Sequence, residues 1–251
     1  MQRDTNPSNL EPLAEKLAYR AELDAEDRAA IMALPFTVKM MERSQFLVRE
    51  RELATHSCLM LSGFSIRSKL VATGERQIVA VHMKGEVADL QNSMLKVADH
   101  SVQMLTAGKV AIIPRDDIVR LTLERPRIAH AMWIDTLVDG SIFREWIANV
   151  GRRDARTRVA HLLCEFAVRL RVAGLGDESH YELPMTQEQL ADTTGLTPVH
   201  INRTLRALED QGAIARPNPR AIQIGDWRML AEIGDFDTNY LHMKDNEPAL
   251  D

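Results

Sequence analysis

Residues 186–212, TQEQLADTTGLTPVHINRTLRALEDQG, constrain this chain more than any other stretch. They predict two helices joined by a tight turn. Thr186 and Gln189 form a capping box, in which each side chain satisfies a free backbone N–H of the first turn. Gly195 can take the left-handed conformation that ends a helix, because it has no Cβ to clash. Thr197 is a good N-cap for the second helix. Pro198 then occupies the first helical position, where a missing N–H costs nothing.

In the second helix, Ile201, Leu205 and Leu208 recur at helical spacing and form one apolar stripe. At about 100° per residue, Val199, Asn202, Arg203 and Arg206 fall on the opposite face. A short, polar, cationic face near a helix N-terminus suits entry into a DNA major groove. An ordinary helix pair inside another domain is the alternative, and the residues after Gly212 weigh against it. Residues 213–215 and 221–224 are strand-like, separated by Arg216-Pro217-Asn218-Pro219, which favours a turn or loop. Asp226 can cap a short helix running to Ile233. A helix-turn-helix followed by a two-stranded wing is the winged-helix arrangement. Arg216 and Arg220 flank the wing tip, where a phosphate backbone would pass. The candidate DNA contacts are therefore Thr186, Thr197, Val199, His200, Asn202, Arg203, Arg206, Arg216 and Arg220.

A chain of 251 residues, 45% hydrophobic, can bury a large core and divide into two domains. Its net charge of -5 argues against a wholly basic, histone-like binder but leaves room for a local basic surface. Cys58 and Cys164 match no metal spacing, and a reduced, cytoplasmic chain fits them. The opening MQRDTNPSNLEPL lacks a basic start and an apolar run, so no secretory signal is expected. No segment approaches the ~20 apolar residues of a membrane span. No nucleophile elbow, P-loop, dinucleotide fingerprint or zinc-protease motif occurs, so no enzyme is expected. The paired carboxylates Asp116-Asp117 are more simply a loop and a helix cap.

Along the chain, residues 1–9 are polar and expected to fray. Leu10, Leu13, Leu17, Leu23 and Ile31 suggest two short amphipathic helices, with Asp24 as a cap between them. Short β-rich runs come next at 38–41, 46–48, 58–61, 64–70, 77–82, 101–106 and 110–113, with Thr73-Gly74 as a hairpin turn. Such spacing suggests a small barrel or jelly roll, which either encloses a ligand cavity or is filled by side chains.

Residues 126–150 then predict a helix about 37 Å long. Its apolar residues, among them Ile128, Met132, Trp133, Leu137, Ile142, Trp146 and Ile147, nearly encircle it. So many suggest two packing partners, the β domain and a second subunit. Asp135 and Asp139 interrupt this surface, fixing register or facing solvent. Gly151 is the expected hinge, Asp154 the cap of the next helix, and 174–182 a loop. Arg152, Arg153, Arg156 and Arg158 either meet phosphates or solvate that helix start. Residues 244–251 are expected to be disordered, while Phe236, Tyr240 and Leu241 pack onto the wing domain.

This order of parts resembles the Crp/Fnr superfamily of bacterial transcription regulators over roughly residues 10–242. The strongest matches are GRRDARTRVAHLL and the stretch from Met185 to Asp226. The resemblance implies an α+β chain: a cyclic-nucleotide-binding-like β-barrel or jelly-roll sensor domain (10–125), a dimerisation helix (126–150) and a winged helix-turn-helix (151–242). It implies a homodimer on a two-fold symmetric, double-stranded DNA operator, with RNA polymerase as a partner and a small-molecule effector in the β domain.

Cyclic-nucleotide members carry a Gly-Glu segment and, about a dozen residues on, an Arg that forks onto the cyclic phosphate. Gly85-Glu86-Val87-Ala88 resembles the first part. The second falls on His100-Ser101, with no Arg between Glu86 and Ser101. An imidazole cannot replace a permanently charged bidentate fork, so cyclic AMP is not the expected effector. Iron–sulfur members use four cysteines, and this chain has two. Haem through His56, His82 or His100 has no ligand spacing to support it, and no metal is expected. The cofactor is left unknown, with Glu86, Asp89, His100 and Ser101 as candidate effector contacts. In the recognition helix many members carry Glu where Val199 stands, while Arg203 matches the family's base-reading Arg. Asn202 beside it has the geometry for adenine. The competing function is a ligand-sensing or scaffold module whose winged helix contacts protein.

Overall fold

The computed structural model describes residues 6–177 and 179–243, so the 244–251 tail and residues 1–5 lie outside it. The chain forms two compact units, Met1–Gly140 and Ser141–Asp251, which divide inside one long helix. Among the described residues, no helix is long and apolar enough to cross a membrane.

The first unit opens with a 3-10 turn at Pro7–Leu10, where polar composition alone predicts fraying. The Asn6 side chain accepts from the Ser8 amide at 3.1 Å, and Leu10 is fully buried. Helices α1 (Glu11–Arg20) and α2 (Ala25–Met32) come after it, with a capping box at Asp24 and Asp27. Seven strands come next: β1 (Thr37–Met41), β2 (Phe46–Val48), β3 (His56–Met60), β4 (Ser65–Leu70), β5 (Arg76–His82), β6 (Ser101–Met104) and β7 (Gly108–Pro114). They pair as two antiparallel sheets, β1-β7-β3 and β2-β6-β4-β5. The β domain is thus two open sheets, not a closed barrel. Cys58, Met60 and Val110 from one sheet and Val102 and Met104 from the other fill the core between them. A Cβ on Gly108 would stand 2.2 Å from the Ser62 carbonyl oxygen, so only glycine allows that close strand entry. The outer side of the first sheet (Leu59, Ala111, Ile113) carries Leu10, Leu13, Leu17 and Ile31.

Helix α3 (Arg115–Glu124) begins before Asp116 and Asp117, which lie in its first turn instead of capping it. There they face the positive end of the helix dipole. Helix α4 (Pro126–Arg152) is 27 residues long, or about 40 Å. It runs straight through Gly151. The break falls at Arg153-Asp154, because Asp154 accepts from the Thr157 amide at 2.9 Å and starts α5 (Ala155–Val172). Asp135 and Asp139 are not free on the α4 surface. Asp135 takes Arg20 at 2.9 Å, and Asp139 takes the buried Arg67 at 2.9 Å.

In the second unit, β8 (His180–Glu182) is a strand where the sequence suggests a loop. It joins β10 (Ala221–Ile224) and β9 (Ile214–Ala215) in a sheet of order β8-β10-β9. Tyr181 points inward and donates its hydroxyl to the Leu163 carbonyl at 2.8 Å. Helices α6 (Gln187–Thr194), α7 (Pro198–Asp210) and α8 (Trp227–Gly234) complete the unit with a last 3-10 turn at Asn239–Leu241.

Candidate nucleic-acid interface and sensor cradle

Local chemistry sets the geometry of α6 and α7. Thr186 accepts from the Gln189 amide at 3.2 Å, and Gln189 accepts from the Thr186 amide at 2.9 Å. Gly195 has φ +66 and ends α6. Thr197 accepts from the His200 amide at 3.3 Å and starts α7. Ile201, Thr204, Leu205 and Leu208 are buried, which turns the other face of α7 outward. Val199, Arg203 and Arg206 are exposed there, with His200 and Asn202 half-buried. Among the described residues neither Arg203 nor Arg206 has an ion-pair partner, Asp210 included. Two guanidinium groups thus stand exposed on that face, where anions can approach them.

The wing departs from expectation at one residue. Arg216 is drawn inward and donates to Glu209 of α7 at 2.6 Å, so it ties the wing to the recognition helix. Its charge is already matched by that carboxylate. Arg220 remains exposed at the tip, where Asn218 accepts from the Arg220 and Ala221 amides at 2.9 Å each. The basic junction is also mostly structural. Arg153 pairs with Glu145 at 2.6 Å and Asp235 at 3.0 Å, Arg156 donates to Gln211, and Arg158 donates to the Arg153 and Thr194 carbonyls.

Beneath these lies a buried polar network. Glu165 accepts from Trp146 Nε1 at 2.8 Å, the Tyr240 hydroxyl at 2.9 Å and Arg169 at 3.1 Å. His161 Nδ1–H donates to the Gly234 carbonyl at 3.0 Å, while its ring packs edge-on to Phe236 and stacks with Tyr240. Phe236 thus packs on α5 and on Trp227 of α8, Tyr240 packs on α5, and Leu241 is buried. Burial holds the His161 pKa below the ordinary value, with Glu165 opposing and Arg153 adding to the shift. Below about pH 6.5 the unfolded chain therefore takes a proton at this site that the folded chain refuses, and stability falls. Thermal denaturation from pH 7.5 down to 5.5 should show a falling midpoint, with a flatter slope in His161→Asn.

In the first unit, the four expected effector contacts are already engaged. Glu86 accepts from the Met83 amide at 3.1 Å and lies 3.5 Å from Lys16 Nζ. Asp89 is fully buried and accepts from the Cys58 amide at 2.7 Å, with its carboxyl pKa raised by burial. His100 Nδ1–H donates to Asp99 at 2.5 Å, and its Nε2 accepts from the Gln91 amide at 3.1 Å. Burial, and next Arg67, lower its pKa, consistent with that neutral tautomer. Ser101 Oγ accepts from the Glu50 amide at 3.0 Å. Sequence reasoning missed Arg67. It arrives from β4, donates to the Ala88 carbonyl at 2.8 Å and to Asp139 at 2.9 Å, and reaches Gln91 at 3.5 Å. The Gly85–Ala88 segment therefore does have a guanidinium beside it, supplied by a different strand. Among the described residues, no group of three or more His, Cys, Asp or Glu could hold a metal ion, and both cysteines are buried.

A winged helix with an open cationic face, a two-sheet β domain and a long helix make up the architecture of a helix-turn-helix DNA-binding regulator. Comparison with known proteins agrees. Residues 157–233 match the Crp-like helix-turn-helix domain. The nitrogen fixation regulation protein FixK of Bradyrhizobium diazoefficiens is 30% identical over 166 residues, 66% of this chain and 69% of that one. The transcriptional activator protein FnrL of Cereibacter sphaeroides is 24% identical over 222 residues, 87% of this chain and 88% of that one. The structure of FixK2 from Bradyrhizobium japonicum shares the fold with a TM-score of 0.74, at 24% identity over 80% of this chain and 98% of that one. The chain belongs to the Crp/Fnr family of transcription regulators, with a cyclic-nucleotide-binding-like β domain and a DNA-binding helix-turn-helix.

Proposed function

We propose that this regulator binds a two-fold symmetric operator as a homodimer, reading base edges with Arg203 and Asn202 and phosphates with Arg206 and Arg220. The observation that carries this is the exposed face of α7, whose two arginines have no ion-pair partner among the described residues. Thr186 at the start of α6, and Thr197 and His200 at the start of α7, are further candidate contacts. Residues 10–125 act as sensor, 126–150 as dimerisation helix and 151–242 as the DNA-binding domain. Bound at its operator, the dimer acts on RNA polymerase.

The dimer reading rests on α4. Trp133, Leu137 and Ile147 are 65%, 55% and 72% exposed. They share a 3.5-residue seam with Gly140 and Arg144, roughly opposite the buried Ile128 and Ala131. Leu137→Asp combined with Ile147→Asp should place charge in that seam and convert a dimer to a monomer by sedimentation. A wild type that sediments as a stable monomer at micromolar concentration would overturn the dimer.

The effector is neither cyclic AMP nor an iron–sulfur cluster. Arg67, the guanidinium nearest Gly85–Ala88, is held by Asp139 and the Ala88 carbonyl, so a cyclic phosphate would have to break that pair. Selection of bound duplex from a random pool, with and without cell extract or cyclic AMP, tests the whole reading. A palindromic site is expected, with its recovery unaltered by cyclic AMP. Retention of all duplexes alike would defeat it.

A further inference from the structure

Val199 is 81% exposed, more than any other large hydrophobic side chain among the described residues. It is the second residue of α7, and the buried Ile201, Thr204, Leu205 and Leu208 fix its direction. At about 100° per residue, it lies almost opposite the middle of that buried face, between Arg203 and Arg206. A single exposed apolar residue is ordinarily unremarked surface. Here it occupies the centre of the one face of α7 that points away from the core. It also lies in the first turn, the end of a recognition helix that reaches base edges.

An isopropyl group makes no hydrogen bond, so it can discriminate only by apolar contact and by excluding water. The major groove offers one apolar feature, the 5-methyl group of thymine. Cytosine in its place would present an N4 amine whose donor loses water and finds no acceptor on Val199.

We propose that Val199 reads the 5-methyl group of one thymine in each half-site. This rests on the DNA-binding reading above and adds a specificity-determining contact to it. The neighbouring Arg203 and Asn202 supply hydrogen bonds to adjacent bases, and Val199 supplies the contact they cannot make.

The test starts from the duplex recovered by selection. Each thymine is replaced in turn, symmetrically, by deoxyuridine, which removes only the methyl group. At one symmetric pair of positions the wild type should lose about four-fold in affinity per half-site, the value of one buried methyl. Val199→Ser, on an exposed position and checked for an unchanged melting temperature, should bind thymine and uracil alike there. Its sensitivity at the other thymines should remain that of the wild type. Three results would overturn the proposal: tolerance of uracil at every thymine, the same uracil penalty in Val199→Ser, or a selected site with no invariant thymine. Failure to select any duplex would instead bring down the DNA reading, and this proposal with it.

Discussion

Arg203→Ala should cost about 1–3 kcal/mol per half-site and relax the preference at a single base position. The side chain is exposed on α7, within its first two turns, opposite Ile201, Leu205 and Leu208. From there its planar guanidinium can donate two parallel hydrogen bonds to O6 and N7 of guanine, a pairing an ammonium cannot copy. On a symmetric operator the loss counts twice. Arg206, one turn on, should behave differently. Arg206→Ala should weaken all sequences similarly and flatten the salt slope by about one unit per contact, because a released phosphate keeps its counterions. Titrations of both variants against operator substitutions at several salt concentrations separate the roles. If Arg203→Ala leaves the sequence preference intact, Arg203 does not read a base. Arg216 provides an internal contrast. Its pairing with Glu209 means that its loss should disturb the wing and α7 together instead of removing one phosphate contact.

The parts legible in the sequence are those whose causes are local. Thr186, Gln189, Gly195, Thr197 and Pro198 specify two helices and their turn within residues 186–198, and the structure forms each cap. The seven strands of the β domain follow from alternation and turn residues, and their observed bounds differ by a residue or two at most ends. The misreadings are tertiary. β8 is three residues long with one inward side chain, Tyr181, so its period is too short to register without β10 beside it. Gly151 suggests a break by residue type alone. Nothing stands within 4 Å of a Cβ built there, and the helix continues until the Asp154 cap starts the next one. Arg67 and Asp139 meet across 72 residues, and Arg20 and Asp135 across 115, separations no local pattern reveals. That is why the exposed cationic face of α7 is legible in the sequence, while the guanidinium beside Gly85–Ala88 is not.

Glu165→Ala should destabilise the folded chain by about 3–5 kcal/mol, the scale for stripping one partner from a buried charged network. Glu165 is 1% exposed and lies on α5, with Trp146 of α4, Arg169 of its own helix and Tyr240 of the C-terminal turn all donating to it. Removing the carboxylate takes an acceptor from an indole N–H, a phenol and a guanidinium; the Tyr240 hydroxyl can still donate to His161 Nε2 at 3.1 Å, while the buried indole N–H keeps its desolvation cost. Arg169 is only partly buried, so water recovers some of its share. Glu165→Gln separates shape from charge. Its amide retains an acceptor oxygen for one donor but loses the ion pair, so an intermediate loss is expected. Chemical denaturation followed by the tryptophan signal measures both, since Trp146 sits in the network. The unfolding slope should be unchanged if only stability has moved. A loss below about 1 kcal/mol for the alanine variant would place this site among ordinary surface pairs and contradict its burial.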